Sequence, residues 1–166
     1  MDAESIIQNF GLEPLPHEGG WFRRIYTDDA QIPSGVKGPP GALSSMIYYL
    51  ITAEGYSAMH RLIRSTETFH WHAGDPMEQL LLYPDGSGEK ITLGNDFDCG
   101  HAPMSIVPRG VWQGARLSDD TAYYGFAFMS VVVTPEFIWD DFALGDPDTL
   151  VEEYPEWRDA ILKLSR

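Results

Sequence analysis

The chain has 166 residues, 43% hydrophobic and 13% aromatic, so it is long and apolar enough to bury a core. Its formal net charge is -14, from 11 Lys and Arg against 25 Asp and Glu. A surface this acidic repels phosphate backbones and anionic lipids, so we expect neither a nucleic acid nor a membrane as partner. The single cysteine, Cys99, excludes an intramolecular disulfide, and the acidic first residues show no signal-peptide pattern. Together these features favour a cytoplasmic protein.

In chain order, the pattern first predicts a short helix over residues 3–10, ended by Gly11, and then an extended stretch over 13–20 rich in Pro and Gly. A Pro- and Gly-rich loop is predicted for residues 28–41. Strands are predicted for residues 21–27, 44–52, 57–63, 67–72, 77–83, 89–93, 104–107, 112–117 and 123–133. Helices follow at residues 148–154 and 155–164. Many short strands at regular spacing predict an all-β barrel or sandwich, with a single domain over residues 1–166.

The most informative segment is F-H-W-H-A-G-D-P-M-E, which begins at Phe69. Side chains alternate between the two faces of a strand, so His70 and His72 share one face, and we expect that face to be the inner one. The A-G-D-P turn reverses the chain and brings Glu78 opposite the two histidines. Two imidazoles and a carboxylate suit a divalent metal such as Fe, Mn, Ni or Zn.

These residues resemble a known family. The H-x-H, the following Glu and P-D-G match the first cupin motif, and V-P-R-G-V-W-Q matches the second. Together with L-P-H-E-G-G-W-F-R-R-I-Y and S-A-M-H-R, they are similar to a small single-domain cupin family of unknown function. The resemblance implies a double-stranded β-helix, a homodimer, and a pocket inside the barrel that places Gln113 beside His70, His72 and Glu78.

Two departures from metal-binding cupins bear on that pocket. Gln113 stands where the second cupin motif has its third histidine ligand, and an amide oxygen is a weaker ligand than an imidazole nitrogen. Glu78 also follows His72 at a longer spacing than is usual. A metal held by His70, His72, Glu78 and Gln113 and a metal-free pocket therefore both stay open, and no organic cofactor is expected.

Another histidine is a candidate for acid–base chemistry. His60, in the S-A-M-H-R segment, could face the same cavity and act as a general base, because imidazole titrates near neutral pH. Glu67 lies an odd number of residues from His70, so the same alternation predicts for it at most an indirect role. Arg23 and Arg24 are expected to point to opposite faces of their strand; an inward arginine would bind a carboxylate or phosphate, and an outward, solvated charge is the alternative.

Two classes of function remain open. One is an enzyme acting on a small polar molecule, sugar-like or hydroxy-acid-like. It would use either a metal as Lewis acid or, as in sugar-nucleotide epimerase cupins, His60 or His70 as base with a tyrosine as acid. The other is a non-catalytic binding or sensor protein that uses the same pocket, because the fold by itself does not determine function.

Overall fold

The computed structural model describes residues 2–33, 41–119 and 123–165. Within these residues, eleven strands form two antiparallel sheets. The strands are β1 (Glu13–Pro14), β2 (Trp21–Thr27), β3 (Ser45–Thr52), β4 (Ser57–Leu62), β5 (Thr66–Gly74), β6 (Met77–Leu82), β7 (Gly88–Leu93), β8 (Met104–Val107), β9 (Trp112–Leu117), β10 (Phe126–Thr134) and β11 (Phe142–Leu144). Part of the loop predicted for residues 28–41, namely residues 34–40, lies outside the described residues.

One sheet has the strand order β1-β2-β3-β10-β5-β8 and the other the order β11-β4-β9-β6-β7. Neighbours in a sheet are therefore mostly distant in sequence, as when β10 pairs with both β3 and β5. This exchange of the chain between two facing antiparallel sheets is the arrangement of a double-stranded β-helix. The predicted all-β fold is confirmed. The short strands β1 and β11 were not predicted.

The main core lies between the two sheets, where alternate side chains point inward. Phe69 and Met129 reach in from the six-stranded sheet, and Met77, Leu81 and Ala115 from the five-stranded sheet. All five are nearly or completely buried. Burial of a large apolar side chain contributes roughly 1.5–3 kcal/mol, so this layer is the principal source of stability that fixes the two walls of the cavity.

Helices cover the outer faces. Helix α1 (Ala3–Phe10) begins at Asp2, whose carboxylate accepts a hydrogen bond from the Ser5 backbone N–H, and ends at Gly11 with a φ of 60°. It packs Ile6 against the outside of the six-stranded sheet. The C-terminal helices α2 (Pro147–Glu153) and α3 (Arg158–Lys163) cover the five-stranded sheet, with 3-10 turns at Phe97–Cys99, Trp139–Asp141 and Pro155–Trp157. The helices predicted at both ends of the chain are confirmed.

Strand β10 begins at Phe126 rather than at residue 123, and a buried carboxylate gives the reason. Asp75, which is 2% exposed, accepts hydrogen bonds from the backbone N–H groups of Tyr123, Tyr124 and Gly125 at 2.7–3.0 Å. These donors are therefore used by a side chain instead of by a neighbouring strand. The carboxylate fixes the entry to β10 at the end of the barrel where β5 turns into β6.

Candidate functional site

The two histidines of the H-x-H segment lie on the outer face of β5, not on the inner face where we expected them. Glu67 and Phe69 are the buried residues of this strand, while His70 is half-buried and His72 is exposed. His70 contacts the Thr68 hydroxyl at 3.1 Å, and His72 contacts the Ser130 hydroxyl at 3.0 Å. The expectation was wrong because the apolar side chains of the strand take the inner face, which leaves the histidines to the solvent side.

Glu78 and Gln113 are separated in the same way. Glu78 lies on the outer face of β6, where its side chain is 35% exposed and pairs with Lys90 at 2.9 Å. Gln113 is 1% exposed and points into the barrel. Of the four expected ligands only Gln113 is inside, so the set does not fit a common ion, and no group of three or more His, Cys, Asp or Glu in the described residues is arranged to hold one. Metal binding by this chain stays a prediction, which elemental analysis of the purified protein can check.

The interior instead brings together His60, Glu67 and Glu18. His60 comes from β4, Glu67 from β5, and Glu18 from the segment that precedes β2. The Nε2 atom of His60 lies 3.4 Å from Glu18 Oε2 and 4.0 Å from Glu67 Oε2. His60 and Glu67 are 3% and 8% exposed. The position of His60 agrees with the sequence analysis, whereas Glu67, expected to lie off the shared face, is buried beside it, and Glu18 was not identified from the sequence.

The backbone fixes the tautomer of His60. Its Nδ1 atom lies 2.8 Å from the carbonyl oxygen of Ala58. Since a carbonyl oxygen only accepts hydrogen bonds, the neutral ring carries its hydrogen on Nδ1 and donates it there. The lone pair of the neutral imidazole is therefore on Nε2, the atom that faces the two carboxylates.

Burial shifts both titratable groups of this pair toward their neutral forms. Burial raises the pKa of the Glu67 carboxyl to about 7, and the nearby His60 partly opposes that rise. Burial also lowers the pKa of His60, against the attraction of Glu67. A charged group loses hydration energy inside a protein, which is the cause of both shifts. Near neutral pH the site thus combines a neutral imidazole with a carboxyl group close to its midpoint, the condition that favours proton transfer in either direction.

A chain of three polar side chains ends on Glu67. The Ser105 hydroxyl donates to Gln79 Oε1 at 2.6 Å, and Gln79 Nε2 donates to Gln113 Oε1 at 2.9 Å. Gln113 Nε2 in turn donates to Glu67 Oε2. All three are at most 4% exposed. Gln79 and Ser105 were not identified from the sequence, although Gln79 alternates with the apolar Met77 and Leu81 and could have been assigned to the inner face on that signal.

His60, Glu67 and Glu18 stand at one side of a cavity of about 190 Å³. Glu18, His60 and Glu67 contribute its acid–base groups, and its other walls are largely apolar. The remaining lining residues are Leu15, Phe22, Arg24, Ser45, Ile47, Leu62, Val133, Phe137, Ile138 and Trp139. An apolar cavity with a few convergent polar groups is the usual form of a small-molecule site.

Arg24 gives the cavity its one cationic side chain among these lining residues. Its guanidinium donates to the Phe137 carbonyl at 3.4 Å and lies 3.8 Å from Glu136. Arg23, its neighbour, instead donates to the Phe10 carbonyl at 3.0 Å on the side of α1. Of the two arginines, Arg24 is therefore the one that reaches the site.

The chain matches a protein family and a yeast relative. A family model described as "Cupin superfamily (DUF985)" matches residues 4–145. An uncharacterized protein of Saccharomyces cerevisiae is 28% identical over 136 residues, which are 75% of this chain and 66% of the yeast protein. The match thus spans slightly less than two thirds of that relative. No helix in the described residues has both the length and the apolar character to cross a membrane.

Solved structures extend the comparison to the whole chain. A hypothetical protein from Leishmania major has a TM-score of 0.91 at 26% identity and covers 99% of each chain. A protein from Shewanella oneidensis has a TM-score of 0.86 at 30% identity, covering 100% of this chain and 98% of its own. A dTDP sugar isomerase from Desulfovibrio desulfuricans reaches a TM-score of 0.51 at 17% identity, covering 75% of this chain and 83% of its own, a likeness of fold alone.

Proposed function

Because the chain belongs to the DUF985 family of the cupin superfamily, we propose that its barrel cavity binds a small, sugar-like or hydroxy-acid-like molecule and transfers a proton on it. The observation that carries the proposal is the buried contact of His60 with Glu67 and Glu18 at the wall of the cavity. A carboxyl group whose pKa is raised to about 7, beside an imidazole whose pKa is lowered by burial, is typical of acid–base sites.

In the proposed reaction His60 is the base. Its Nε2 lone pair accepts a proton from the carbon beside a carbonyl group of the ligand, and the imidazolium that forms is stabilised by Glu18, which lies 3.4 Å from Nε2. The Glu67 carboxyl is the acid that returns a proton. Because His60 and Glu67 are neighbours at one wall of the cavity, the proton leaves and returns on the same face of the ligand, so the result is an isomerisation in which the ligand neither gains nor loses atoms. The proton held by His60 then passes to Glu67, which restores both groups. The reaction uses neither His70 nor His72, which lie on the outer face.

The cavity also indicates the class of ligand. Carboxylates accept hydrogen bonds from ligand hydroxyl groups, and the rings of Phe22, Phe137 and Trp139 offer apolar surface to carbon atoms. A volume of about 190 Å³ is below the roughly 300–1,000 Å³ of pockets for drug-sized molecules. The part of the ligand that enters is therefore small, comparable to a single sugar ring or a short hydroxy acid.

A non-catalytic binding or sensor protein is the second candidate. One observation favours it: no tyrosine is among the described residues that line the cavity, so the tyrosine acid of the epimerase-like mechanism, for which Tyr49 and Tyr124 are the candidates, has no counterpart there. The Tyr49 hydroxyl donates to the Gly19 carbonyl at 2.8 Å, and Tyr124 lies exposed beside Asp75. In this case the same polar cluster would serve recognition only.

Deuterium exchange separates the two functions. The protein is incubated in D2O with aldoses, ketoses and 2-hydroxy acids, together with small molecules that co-purify with it by mass spectrometry. Loss of the C–H signal beside the carbonyl is followed by proton NMR. We expect exchange on at least one compound, and a fall of roughly a hundred- to ten-thousand-fold in His60→Gln, which lacks the base.

Saturable binding without exchange would overturn the enzymatic proposal and leave the binding function. If no compound bound at all, both functions would be contradicted. His101→Gln is a suitable control, because that histidine lies beside Cys99 in a loop outside the cavity. The homodimer implied by the family resemblance stays a prediction, and light scattering would test it by a mass of twice 18.6 kDa.

A further inference from the structure

The hydrogen bonds of the polar side chains that end on Glu67 all run in the same direction. Ser105, Gln79, Gln113 and Glu67 come from β8, β6, β9 and β5, so the chain spans both sheets across the interior. Every donor in it points toward Glu67. Aligned hydrogen bonds in a buried site polarise one another, so the chain delivers a strengthened donor to the carboxylate.

We propose that Gln113 and Gln79 are positioning residues whose side-chain amides reverse when Glu67 takes up a proton, so that the carboxyl group is hydrogen-bonded in both of its states. In the reversed chain Glu67 donates to Gln113, Gln113 donates to Gln79, and Gln79 donates to the Ser105 oxygen. No heavy atom changes place other than by exchange of the oxygen and nitrogen of each amide. The role given to Glu67 rests on the proposed function, whereas the reversal itself does not.

The chemistry of the four groups permits this reversal. A carboxamide presents a donor at one end and an acceptor at the other in nearly the same shape, and its terminal torsion is broad and close to two-fold. The hydroxyl of Ser105, at the far end, both donates and accepts. A backbone N–H in that place would only donate and would hold the chain in one direction. Because the far end is a hydroxyl, the direction is set by Glu67.

The amide reversal affects His60, because Gln113 binds the Glu67 oxygen that lies nearest to that histidine. Gln113 binds Glu67 Oε2, the same oxygen that lies 4.0 Å from His60 Nε2. A proton on Oε2 can be directed to His60 or, in the reversed chain, to the Gln113 carbonyl oxygen. The second arrangement keeps the Nε2 lone pair available to a ligand. The other charged groups that act on Glu67 are Glu18 and Asp141, both of which favour its protonated form.

Nuclear magnetic resonance on the ligand-free protein tests the reversal directly. Carbon-13 labelling reports the titration of the Glu67 carboxyl, and nitrogen-15 labelling reports the side-chain amides of Gln113 and Gln79. We expect both amides to shift with the same midpoint as Glu67, and both responses to vanish in Glu67→Gln. A Gln79 amide that is unchanged through the Glu67 transition would overturn the proposal.

Substitutions in the hydrogen-bonded side chains should shift the midpoint of Glu67 by an amount that decreases with distance from Glu67. Gln113→Met keeps the length of the side chain but removes its hydrogen bonds. Because a hydrogen bond to a carboxylate is stronger than one to a neutral carboxyl, we expect the midpoint of Glu67 to rise by about half to one pH unit. Gln79→Met should raise it less, and Ser105→Ala least. Gln8→Met, on the exposed face of α1, is the matched control and should leave the midpoint unchanged.

Equal midpoints in all variants would also contradict a positioning role. If Gln113→Met does not fold, Ser105→Ala and the amide titration of the unaltered protein still show whether the amides respond to the protonation of Glu67. None of these measurements uses a ligand. If the proposed reaction is wrong, deuterium exchange is absent while the side-chain amides still titrate with Glu67. If the amide reversal is wrong, deuterium exchange occurs while the amides do not titrate with Glu67.

Discussion

The two faces of strand β5 place similar polar groups in opposite surroundings. Glu67 on the inner face is 8% exposed, whereas His72, five residues along the chain, is exposed on the outer face. Burial raises the pKa of Glu67 to about 7 and also lowers that of His72, but the histidine keeps contact with water and with the Ser130 hydroxyl. On the inner face Glu67 lines the cavity, and on the outer face His72 contacts solvent. Position on the strand therefore decides which of its titratable side chains faces the cavity.

On strand β5, the largest expected effect comes from removing Glu67, the proposed acid of the inner face. Glu67→Gln keeps the size of the side chain but cannot return a proton, so we expect deuterium exchange to fall roughly a hundred-fold or more. His70→Ala and His72→Ala, on the outer face, should stay within about twofold of the unaltered protein, as surface substitutions usually do. The rates are compared at equal protein concentration by proton NMR. If an outer-face variant lost exchange and Glu67→Gln retained it, the assignment of the two faces to function would be reversed.

The same strand shows how far the sequence alone could be followed. Alternation correctly grouped His70 with His72 and separated them from Glu67. Alternation does not say which of the two sets faces the interior. We expected the histidines to be the inner set because they could bind a metal, and that expectation was wrong. Phe69 and Trp71, which share the side of Glu67, are the larger apolar residues, and the core contains Phe69 with Trp71 packed against it. Burial of apolar surface outweighs an imidazole pair that gains nothing without a metal.

Other parts of the site depended on contacts that are distant in sequence. Glu18 reaches His60 across 42 positions of the chain, and Gln113 reaches Glu67 across 46. Strand order and register bring these residues together, and no local pattern encodes either. The fold itself was predictable because the strand pattern and the two cupin motifs occur together along most of the chain. The family resemblance therefore predicted an interior pocket with His60 facing it, whereas the contacts of His60 with Glu18 and Glu67 came only from the structure.

A smaller but measurable effect is the pH dependence of stability caused by Glu67. Its pKa is 4.5 in the unfolded reference and about 7 in the folded protein. Between these values the folded state binds the proton more tightly, so the free energy of unfolding decreases as the pH rises, by at most roughly 3 kcal/mol in total. Urea unfolding at a series of pH values measures the decrease, and we expect Glu67→Gln to lack it.

Two features keep that measurement specific. The lowered pKa of His60 acts in the other direction, because stability is lost as the pH falls below the 6.5 of the unfolded imidazole. Because Glu67 also raises the pKa of His60, the effect of Glu67→Gln is measured in a His60→Gln background as well, where only the titration of Glu67 is removed. Glu78→Gln, on the outer face of β6, serves as the carboxylate control and should follow the unaltered protein. Identical curves for Glu67→Gln and the unaltered protein would contradict a buried carboxyl at this position.

The smallest effect is expected at Glu78, the carboxylate that the cupin motif singles out. It pairs with Lys90 at 2.9 Å, but the two side chains are 35% and 43% exposed, so water and salt screen their attraction. Double-mutant cycles on exposed pairs give about 0.2–1 kcal/mol, and we expect Glu78→Ala with Lys90→Ala to fall in that range and to weaken in 1 M salt. Deuterium exchange should be unaffected in either variant. A loss of several kcal/mol, or of exchange, would mean that Glu78 reaches the interior in solution, because only a buried carboxylate would leave so large a charge or hydrogen-bond deficit when its partner is removed.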